Sequence, residues 1–406
     1  MAQQRTIMRE RTILPGSTIG VLGGGQLGRM MALAGRAMGY RFVTLDPAED
    51  SPCGQVADRQ ITAPYSDLAA AREMARLADV ITYEFENVSA EVAEMLSREA
   101  YVPQGSRLLH TTQHRLREKR AVEAAGVRVA PYAEVRSLDD LQGAIGRLGL
   151  PAVLKTCTGG YDGKGQWVIR GGEEAEAAFR ELSRNTEELV LEKFVNFSRE
   201  ISVIAARSPR GEIAVFPPAE NVHVDNILHL SIVPARIGEE TARQASEMAS
   251  RIAEHMDVVG LIAVEMFVEP DGSLYVNELA PRPHNSGHYT MEACRTSQFE
   301  QHIRAVCNLP LGPVGLLTPV VMVNILGQHV EPVLEFFADP HSSELSGRLG
   351  VAPKLHLYGK REAKKQRKMG HINLLCDDPA NALQWIRETG IWQEELRKAG
   401  IEPAGK

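Results

Sequence analysis

Cysteine is scarce and scattered. Five residues, Cys53, Cys157, Cys294, Cys307 and Cys376, are spread over 406 positions without a CxxC pair. That excludes a disulfide framework and a cysteine zinc site, and it fits reduced thiols in a cytoplasmic protein. No apolar run approaches the roughly 20 residues needed to cross a bilayer, so no membrane partner is expected. The opening stretch, residues 1–17, lacks the apolar core of about 7–15 residues found in a signal peptide. It reads as a short polar extension before the first strand. Basic charge is outweighed, with 45 Lys and Arg against 52 Asp and Glu for a formal net charge of −7. This argues against a dedicated nucleic-acid or polyanion binder while allowing a local basic patch. Neither internal repeats nor low-complexity linkers occur, and the length suits two or three domains around well-formed cores.

What is present begins with a β-glycine loop-α-β unit. Residues 18–22 are a short apolar run leading into Gly23-Gly24-Gly25-Gln26-Leu27-Gly28, a helical pattern (Met30, Met31, Leu33, Ala34, Ala37) and a second strand, 41–45, with Asp46 at its end. The spacing matches the dinucleotide fingerprint GxGxxG with a downstream acid. Such glycines let a backbone approach a phosphate at a helix N-terminus, whether of NAD or of a sugar phosphate, although a purely structural tight turn would read the same. Helices at 65–77 and 89–98 around a strand at 80–84 continue the alternation and predict a parallel sheet. Tyr83-Glu84-Phe85-Glu86-Asn87 falls at the carboxyl end of its strand, where open α/β sheets bind ligands, or it is a helix-capping turn.

Residues 113–125 read as a basic helix closed by Gly126. Strands at 151–155 and 166–170 then flank the loop 156–165, TCTGGYDGKG. Four glycines with polar residues and a lysine make a flap able to close amides over phosphates. The Gly-Lys-Ser/Thr ending of a Walker A loop is missing, and a flexible hairpin tip is the bland alternative. Lys155 on the preceding strand favours the functional one. A helix at 172–184 and a strand at 188–194 complete a small α+β module. Strands at 196–207, 212–216 and 319–326 follow, with a helix at 239–257 whose Ala242, Ala245, Met248, Ala249, Ile252 and Met256 form one apolar stripe. The basic run Lys360, Arg361, Lys364, Lys365, Arg367 and Lys368 lies between strand-like 354–358 and 371–375. It is either a solvated surface or a source of cations for a substrate phosphate. One amphipathic helix is expected over 379–398.

The densest stretch is 264–288, VEMFVEPDGSLYVNELAPRPHNSGH. Asp271-Gly272 between two strand-like runs signals a tight hairpin. Counting outward from a two-residue loop sets Glu265 opposite Glu278. At about 5 Å and an effective dielectric of about 20 their repulsion is on the order of 3 kcal/mol. A hard divalent cation would relieve it, since Mg²⁺ takes one or two carboxylates plus phosphate oxygens; a solvated face with screened charges is the alternative. Arg282, His284, Asn285, Ser286, Gly287 and His288 crowd the next loop with donors suited to an anion.

These motifs occur in the order of the ATP-grasp superfamily: lysine strand, glycine flap, the strand Glu192-Lys193-Phe194-Val195 and paired glutamates. More narrowly, residues 23–30, 158–167, 196–200 and 277–288 closely resemble the 5-(carboxyamino)imidazole ribonucleotide synthases of purine biosynthesis, and 367–373 is similar to that family's end motif. The likeness runs from about residue 18 to about 373. It implies an α/β and α+β architecture: a Rossmann-like pre-ATP-grasp domain (1–114), a small flap-bearing domain (115–195) and a C-terminal domain (196–406). It also implies ATP-dependent carboxylation of aminoimidazole ribonucleotide with bicarbonate, ATP and Mg²⁺ as cofactors, and a homodimer. Carried over by position, Arg115 and Lys155 would contact ATP phosphates, beneath a flap of Gly160, Tyr161, Asp162, Gly163, Lys164, Gly165 and Gln166. Glu192, Lys193, Phe194 and Val195 would line the adenine pocket, with Glu200, His223 and Asn277 also on the nucleotide. Glu265 and Glu278 would hold Mg²⁺. Lys155, Arg282, His284, Asn285, Tyr161 and Asp162 would serve the reacting groups. Gln26, Leu27, Glu84, Lys360, Arg367 and Lys368 would grip the ribonucleotide. One departure is Ala280, where many ATP-grasp enzymes carry a metal-binding asparagine. A formate-dependent glycinamide ribonucleotide transformylase is the nearest rival, but it resembles this loop with an aspartate at the position of Asn285. An NAD-dependent dehydrogenase explains only Gly23–Gly28 and Asp46.

Overall fold

The computed structural model describes residues 11–159 and 164–401. Three sheets follow one another along the chain. The first is parallel, ordered β3-β2-β1-β4, from β1 (Thr18–Leu22), β2 (Arg41–Asp46), β3 (Arg59–Thr62) and β4 (Val80–Tyr83). Helix α1 (Gln26–Ala37) packs Leu27, Met30 and Met31 against it. The edge strand β3 is short and polar, and its sequence carries no alternation that would announce it. The helix expected from residue 65 is Leu68–Leu77, because the Asp67 side chain accepts from the amides of Ala69 and Ala70 and sets the start there.

The second sheet is antiparallel, β5-β8-β6-β7, from β5 (Tyr132–Val135), β6 (Ala152–Thr156), β7 (Gln166–Ile169) and β8 (Leu189–Lys193). Helix α2 (Arg115–Ala124) leads into it and ends before Gly126, whose φ of +70° suits a glycine. Lys155 pairs with Gln166 across β6 and β7, so the flap is the connection between these two strands.

Nine strands form the third sheet: β9 (Arg199–Arg207), β10 (Ile213–Val215), β11 (Ala219–Val224), β12 (Ile227–Val233), β13 (Gly260–Val268), β14 (Leu274–Ala280), β15 (Val320–Leu326), β16 (Ala352–Leu357) and β17 (Lys368–Leu375). Their order is β14-β13-β9-β11-β12-β15-β17-β16, with β10 on β9. Helix α3 (Glu239–His255) buries Ala245, Ala249 and Ile252 of its predicted stripe against β9 and β13. Helix α4 (Gln298–Val306) docks between this sheet and α1 and so ties the first domain to the third.

One further expectation needs correction, and one element was not anticipated. The single helix over 379–398 is two, Pro379–Thr389 and Gln393–Lys398, broken where Gly390 takes φ +73°. The hairpin β11–β12, unread in the sequence, turns on Asp225 and Asn226, both at positive φ (51° and 62°) as a type I′ turn requires. Among the described residues no helix is long and apolar enough to cross a membrane, and all five cysteines are buried and unpaired.

Candidate active site

The β13–β14 hairpin sets Glu265 opposite Glu278, though not by a two-residue loop. The amide of Gly272 bonds to Glu269 O at 2.9 Å, and the Glu269 amide bonds to Ser273 O at 2.9 Å, so three residues, 270–272, form the turn with Gly272 at φ +87°. That would slip the register by one. A bulge at Asn277, between the pairs Met266–Val276 and Glu265–Glu278, restores it. The same bulge leaves Asn277 Oδ1 buried with no hydrogen-bond partner among the described residues. Both glutamates and Asn277 line a cleft of about 700 Å³ to which all three domains contribute. Two carboxylates and a free amide oxygen are hard donors suited to Mg²⁺. No cluster of three or more His, Cys, Asp or Glu is available to a metal among the described residues, so the rest of a coordination shell would come from phosphate and water. Ala280, in place of the usual asparagine, is buried and paired with Ala263.

On the nucleotide side, Lys155 Nζ lies 2.9 Å from Glu192 Oε2, and Lys119 Nζ lies 3.1 Å from Glu192 Oε1. All three side chains are buried. Burial alone would raise the Glu192 carboxyl, but the two ammonium groups hold it down at about 2. For Lys155 burial wins and lowers its pKa. Arg115 reaches Glu278 at 3.4 Å. Phe194 and Phe197 are partly exposed at the cleft, and Phe197 stacks on Phe267 with ring centroids 4.7 Å apart. His223 Nδ1 is 3.2 Å from Glu200 Oε2; burial opposes that pair's upward pull on the imidazole pKa and loses.

The loop after β14 is rigidly built. His284 Nε2 is 3.0 Å from Glu265 Oε1. Asn285 and Asn324 exchange two amide hydrogen bonds of 3.0 and 2.7 Å. Arg282 makes a bidentate pair with Glu86 at 2.6 and 3.2 Å, which brings the first domain to the edge of the third. The glycine run differs from the dinucleotide expectation. Gly24 N donates to Asp46 Oδ2 (2.8 Å), and Gly25 N and Gly28 N donate to Glu84 Oε1 and Oε2 (2.6 and 2.5 Å). Asp46 also accepts from Tyr65 Oη at 2.5 Å. These carboxylates occupy amides that a dinucleotide phosphate would need, and the Asp46 carboxylate is itself engaged by Gly24, Ala48 and Tyr65. Gln26 and Leu27 are the part of this turn that lines the cleft.

Of the residues singled out by sequence, Gln26, Leu27, Glu84, Arg115, Lys155, Lys164, Gln166, Glu192, Lys193, Phe194, Val195, Glu200, His223, Glu265, Asn277, Glu278, Arg282, His284, Asn285 and Lys368 line this one cleft. Gly160, Tyr161, Asp162 and Gly163 lie outside the described residues. Gly165 sits at the base of the flap, its carbonyl accepting from Thr156 N. Lys360 and Arg367 stand off the cleft wall. Lys360 Nζ donates to Lys368 O at 2.7 Å, and burial and then Arg367 bring its pKa down to about 8. Exposed Arg367 donates to Glu362 O. Sequence reasoning missed Lys119, Glu118 and Asn324. Glu118 is pushed up to about 8 by burial and then by Glu278. Lys119 and Glu118 were legible only as part of a basic helix, and Asn324 only as a polar residue inside an apolar strand.

Known proteins match this arrangement over most of the chain. Residues 16–113 match the ribonucleotide synthetase preATP-grasp domain, 120–299 the ATP-grasp domain and 320–384 the phosphoribosylaminoimidazole carboxylase C-terminal domain. The N5-carboxyaminoimidazole ribonucleotide synthase of Bacillus subtilis (strain 168) is 52% identical over 386 residues, covering 95% of this chain and 98% of the relative. The crystal structure of an N5-carboxyaminoimidazole ribonucleotide synthetase bound to ADP superimposes with a TM-score of 0.89 at 55% identity, covering 95% of this chain and 99% of the other. The Aspergillus clavatus N5-carboxyaminoimidazole synthase, in complex with ADP and 5-aminoimidazole ribonucleotide, gives a TM-score of 0.81 at 29% identity over 95% and 99% of the two chains. With its glycine run committed to carboxylates, its paired glutamates sharing one cleft with a buried lysine, and these relatives matched over 95% of its length, the chain belongs to the N5-carboxyaminoimidazole ribonucleotide synthase family of ATP-grasp enzymes.

Proposed function

We propose that this protein carboxylates the exocyclic amine of 5-aminoimidazole ribonucleotide with bicarbonate, using ATP and releasing ADP and phosphate, as a step of purine biosynthesis. One observation carries the reading: a single cleft joins the buried Lys155–Glu192–Lys119 cluster, the opposed Glu265 and Glu278, and the donor loop Arg282–Asn285. Arg115 and Lys155 would bind ATP phosphates, and Lys164, Gly165 and Gln166 would close over them with Gly160, Tyr161, Asp162 and Gly163. Glu192, Lys193, Phe194 and Val195 would border the adenine, and Glu200, His223 and Asn277 the rest of the nucleotide. Glu265 and Glu278 would hold Mg²⁺, which would supply positive charge to offset that of phosphoryl transfer. Arg282, His284 and Asn285 would orient bicarbonate and the amine, and the walls would exclude water from a labile carboxyphosphate. Gln26, Leu27, Glu84 and Lys368 would hold the ribonucleotide, with Lys360 and Arg367 adding positive charge behind them.

A homodimer, a cytoplasmic location and the division at residues 114 and 195 belong to the same reading. Light scattering at micromolar concentration tests the first of these. The decisive assay is ADP release from ATP and Mg²⁺ with aminoimidazole ribonucleotide and bicarbonate each added or omitted. Release that needs both, with a carboxylated product recovered, is the expected result. Turnover only with formate and glycinamide ribonucleotide would move the substrate assignment to the rival ligase.

A further inference from the structure

Six cations, Lys360, Arg361, Lys364, Lys365, Arg367 and Lys368, crowd nine residues that carry one carboxylate, Glu362. Like charges at this density repel and spread a chain. Residues 361–367 are exposed, so burial does not hold them together. The loop nevertheless closes on itself, through Lys360 Nζ on Lys368 O (2.7 Å), Arg367 N on Lys364 O (3.0 Å) and Arg367 Nη1 on Glu362 O (3.1 Å). Two clasps from outside fix where it runs. From the first domain, Gln55 Nε2 donates to Gly359 O at 2.9 Å. The orientation of that amide is set, because Gln55 Oε1 accepts from Arg29 Nη1 of α1 at 2.9 Å, and the same nitrogen donates to Pro52 O at 3.1 Å. From the third domain, Gln328 Oε1 accepts from Gln366 N at 3.0 Å. Gln366 has φ +65°, a left-handed conformation that costs a non-glycine residue energy and needs a partner to hold it. Beside it, Gly327 lies directly under the loop backbone, where a Cβ would stand 2.0 Å from Lys364 O.

We infer that Gln55, Gln328 and Gly327 are positioning residues, which clasp the basic loop from two domains and hold its cations toward the 5′-phosphate of the ribonucleotide. This rests on the carboxylating function proposed above. Lys368, where the loop enters β17, lines the cleft. The other end, at Gly359, is tied to the segment that follows β2. Gln26 and Leu27 at the start of α1 line the same cleft, and Arg29, which backs Gln55, lies on that helix within its first turn. One helix therefore carries both a wall of the ribonucleotide side and an anchor of the loop. A phosphate met by cations already in place loses less binding energy to ordering them. Without the clasps the like charges spread, and each acts on the phosphate from a larger and more variable distance. Neither glutamine has to touch the substrate for this.

Steady-state kinetics of the full chain test the assignment, with aminoimidazole ribonucleotide and with its riboside, which lacks the phosphate. Gln55→Ala should raise KM for the ribonucleotide about three- to tenfold, the scale of one lost hydrogen bond, with KM for ATP and kcat unchanged. For the riboside kcat/KM should not move, because nothing in it meets the cations of the loop. Gln55→Glu, equal in size, sets an acceptor against the Gly359 carbonyl and should lose as much, as should Gln328→Leu. Gly327→Ala removes no polar group and should act in the same sense by displacing the loop. Equal losses for ribonucleotide and riboside, or a parallel rise in KM for ATP, would mean general destabilisation and overturn the inference. Ribonucleotide KM values of Gln55→Glu and Gly327→Ala that match the wild type would overturn it as well. Hydrogen exchange at the Gln366 amide gives an answer independent of catalysis. Slow exchange in the wild type and faster exchange in Gln328→Leu are expected, whereas fast exchange in the wild type removes the clasp. If the wild-type enzyme forms no carboxylated product at all, the functional reading fails while exchange still judges the clasp.

Discussion

Glu84 has both carboxylate oxygens on backbone amides, yet burial drives its pKa from 4.5 up to about 7. A carboxyl raised in the folded state binds its proton more tightly there than in the unfolded chain. Its contribution to stability is therefore complete below about pH 4.5 and is lost as the pH rises through 7. Glu84→Gln removes that titration, so the variant should gain on the wild type between pH 5 and pH 8, by at most about 3 kcal/mol at 1.36 kcal/mol per unit. Urea unfolding at the two pH values measures this; a difference independent of pH would refute it. Glu278 makes a separate case. It is partly exposed and paired only loosely with Arg115, so Glu278→Gln relieves repulsion with Glu265 at little cost in folding. Mg²⁺-dependent ADP release should drop by at least about a hundredfold, on the scale of losing one preorganised electrostatic partner of the transition state. Near-normal turnover would remove Glu278 from the metal site.

Single residues depend on elements for their aim. The three-residue turn at 270–272 and the bulge at Asn277 are each a one-residue departure from a regular hairpin, and together they cancel. Counting along the sequence reached the right pair by the wrong route, because only the net offset matters to residues beyond the bulge. Helix α2 and strand β8 are joined through Lys119 and Glu192 inside the protein. Removing one partner of a buried pair costs about 3–5 kcal/mol when the other charge is left alone. Here Lys155 remains, so Lys119→Met should cost less, about 1–3 kcal/mol. It should also raise KM for ATP, since Glu192 would then bind Lys155 without a competitor. A thermal scan and an ATP titration check both effects; a variant destabilised with unchanged KM would limit Lys119 to holding the helix.

At the scale of the molecule, the site exists because three sheets meet. The Arg282–Glu86 pair bridges a loop after β4 and one after β14, with the residues 196 positions apart. It is only partly exposed, and although burial works against it, the guanidinium keeps the Glu86 carboxyl below its usual value. Glu86→Gln gives up the charge-assisted part of this clamp. KM for aminoimidazole ribonucleotide should rise about tenfold, as for a loss of about 1.5 kcal/mol, while KM for ATP stays put because Lys155 and Glu192 lie in another domain. An equal rise in both would mean that the clamp sets the whole cleft and not the ribonucleotide side.

The sequence by itself determined the parts whose cause is local. Alternation of strand and helix specified the parallel sheet around β1, apolar periodicity the stripe on α3, and strand-like runs around Asp271-Gly272 the hairpin, while residue order along the chain carried the family likeness. It was silent where the cause lies far away in the chain. The short edge strand β3 and the hairpin β11–β12 hold their shape through neighbours, and Gly390 breaks the final helix by a left-handed turn that periodicity does not register. The glycine run shows the limit most clearly. Its spacing suggested amides open to a phosphate, but Glu84 arrives from 59 residues away to take the amide of Gly25. The same holds for Asn285, whose side chain exchanges two hydrogen bonds with Asn324, 39 residues further along the chain. A hydrogen bond needs its partners within about 3 Å, and only the folded chain decides which distant residues come that close.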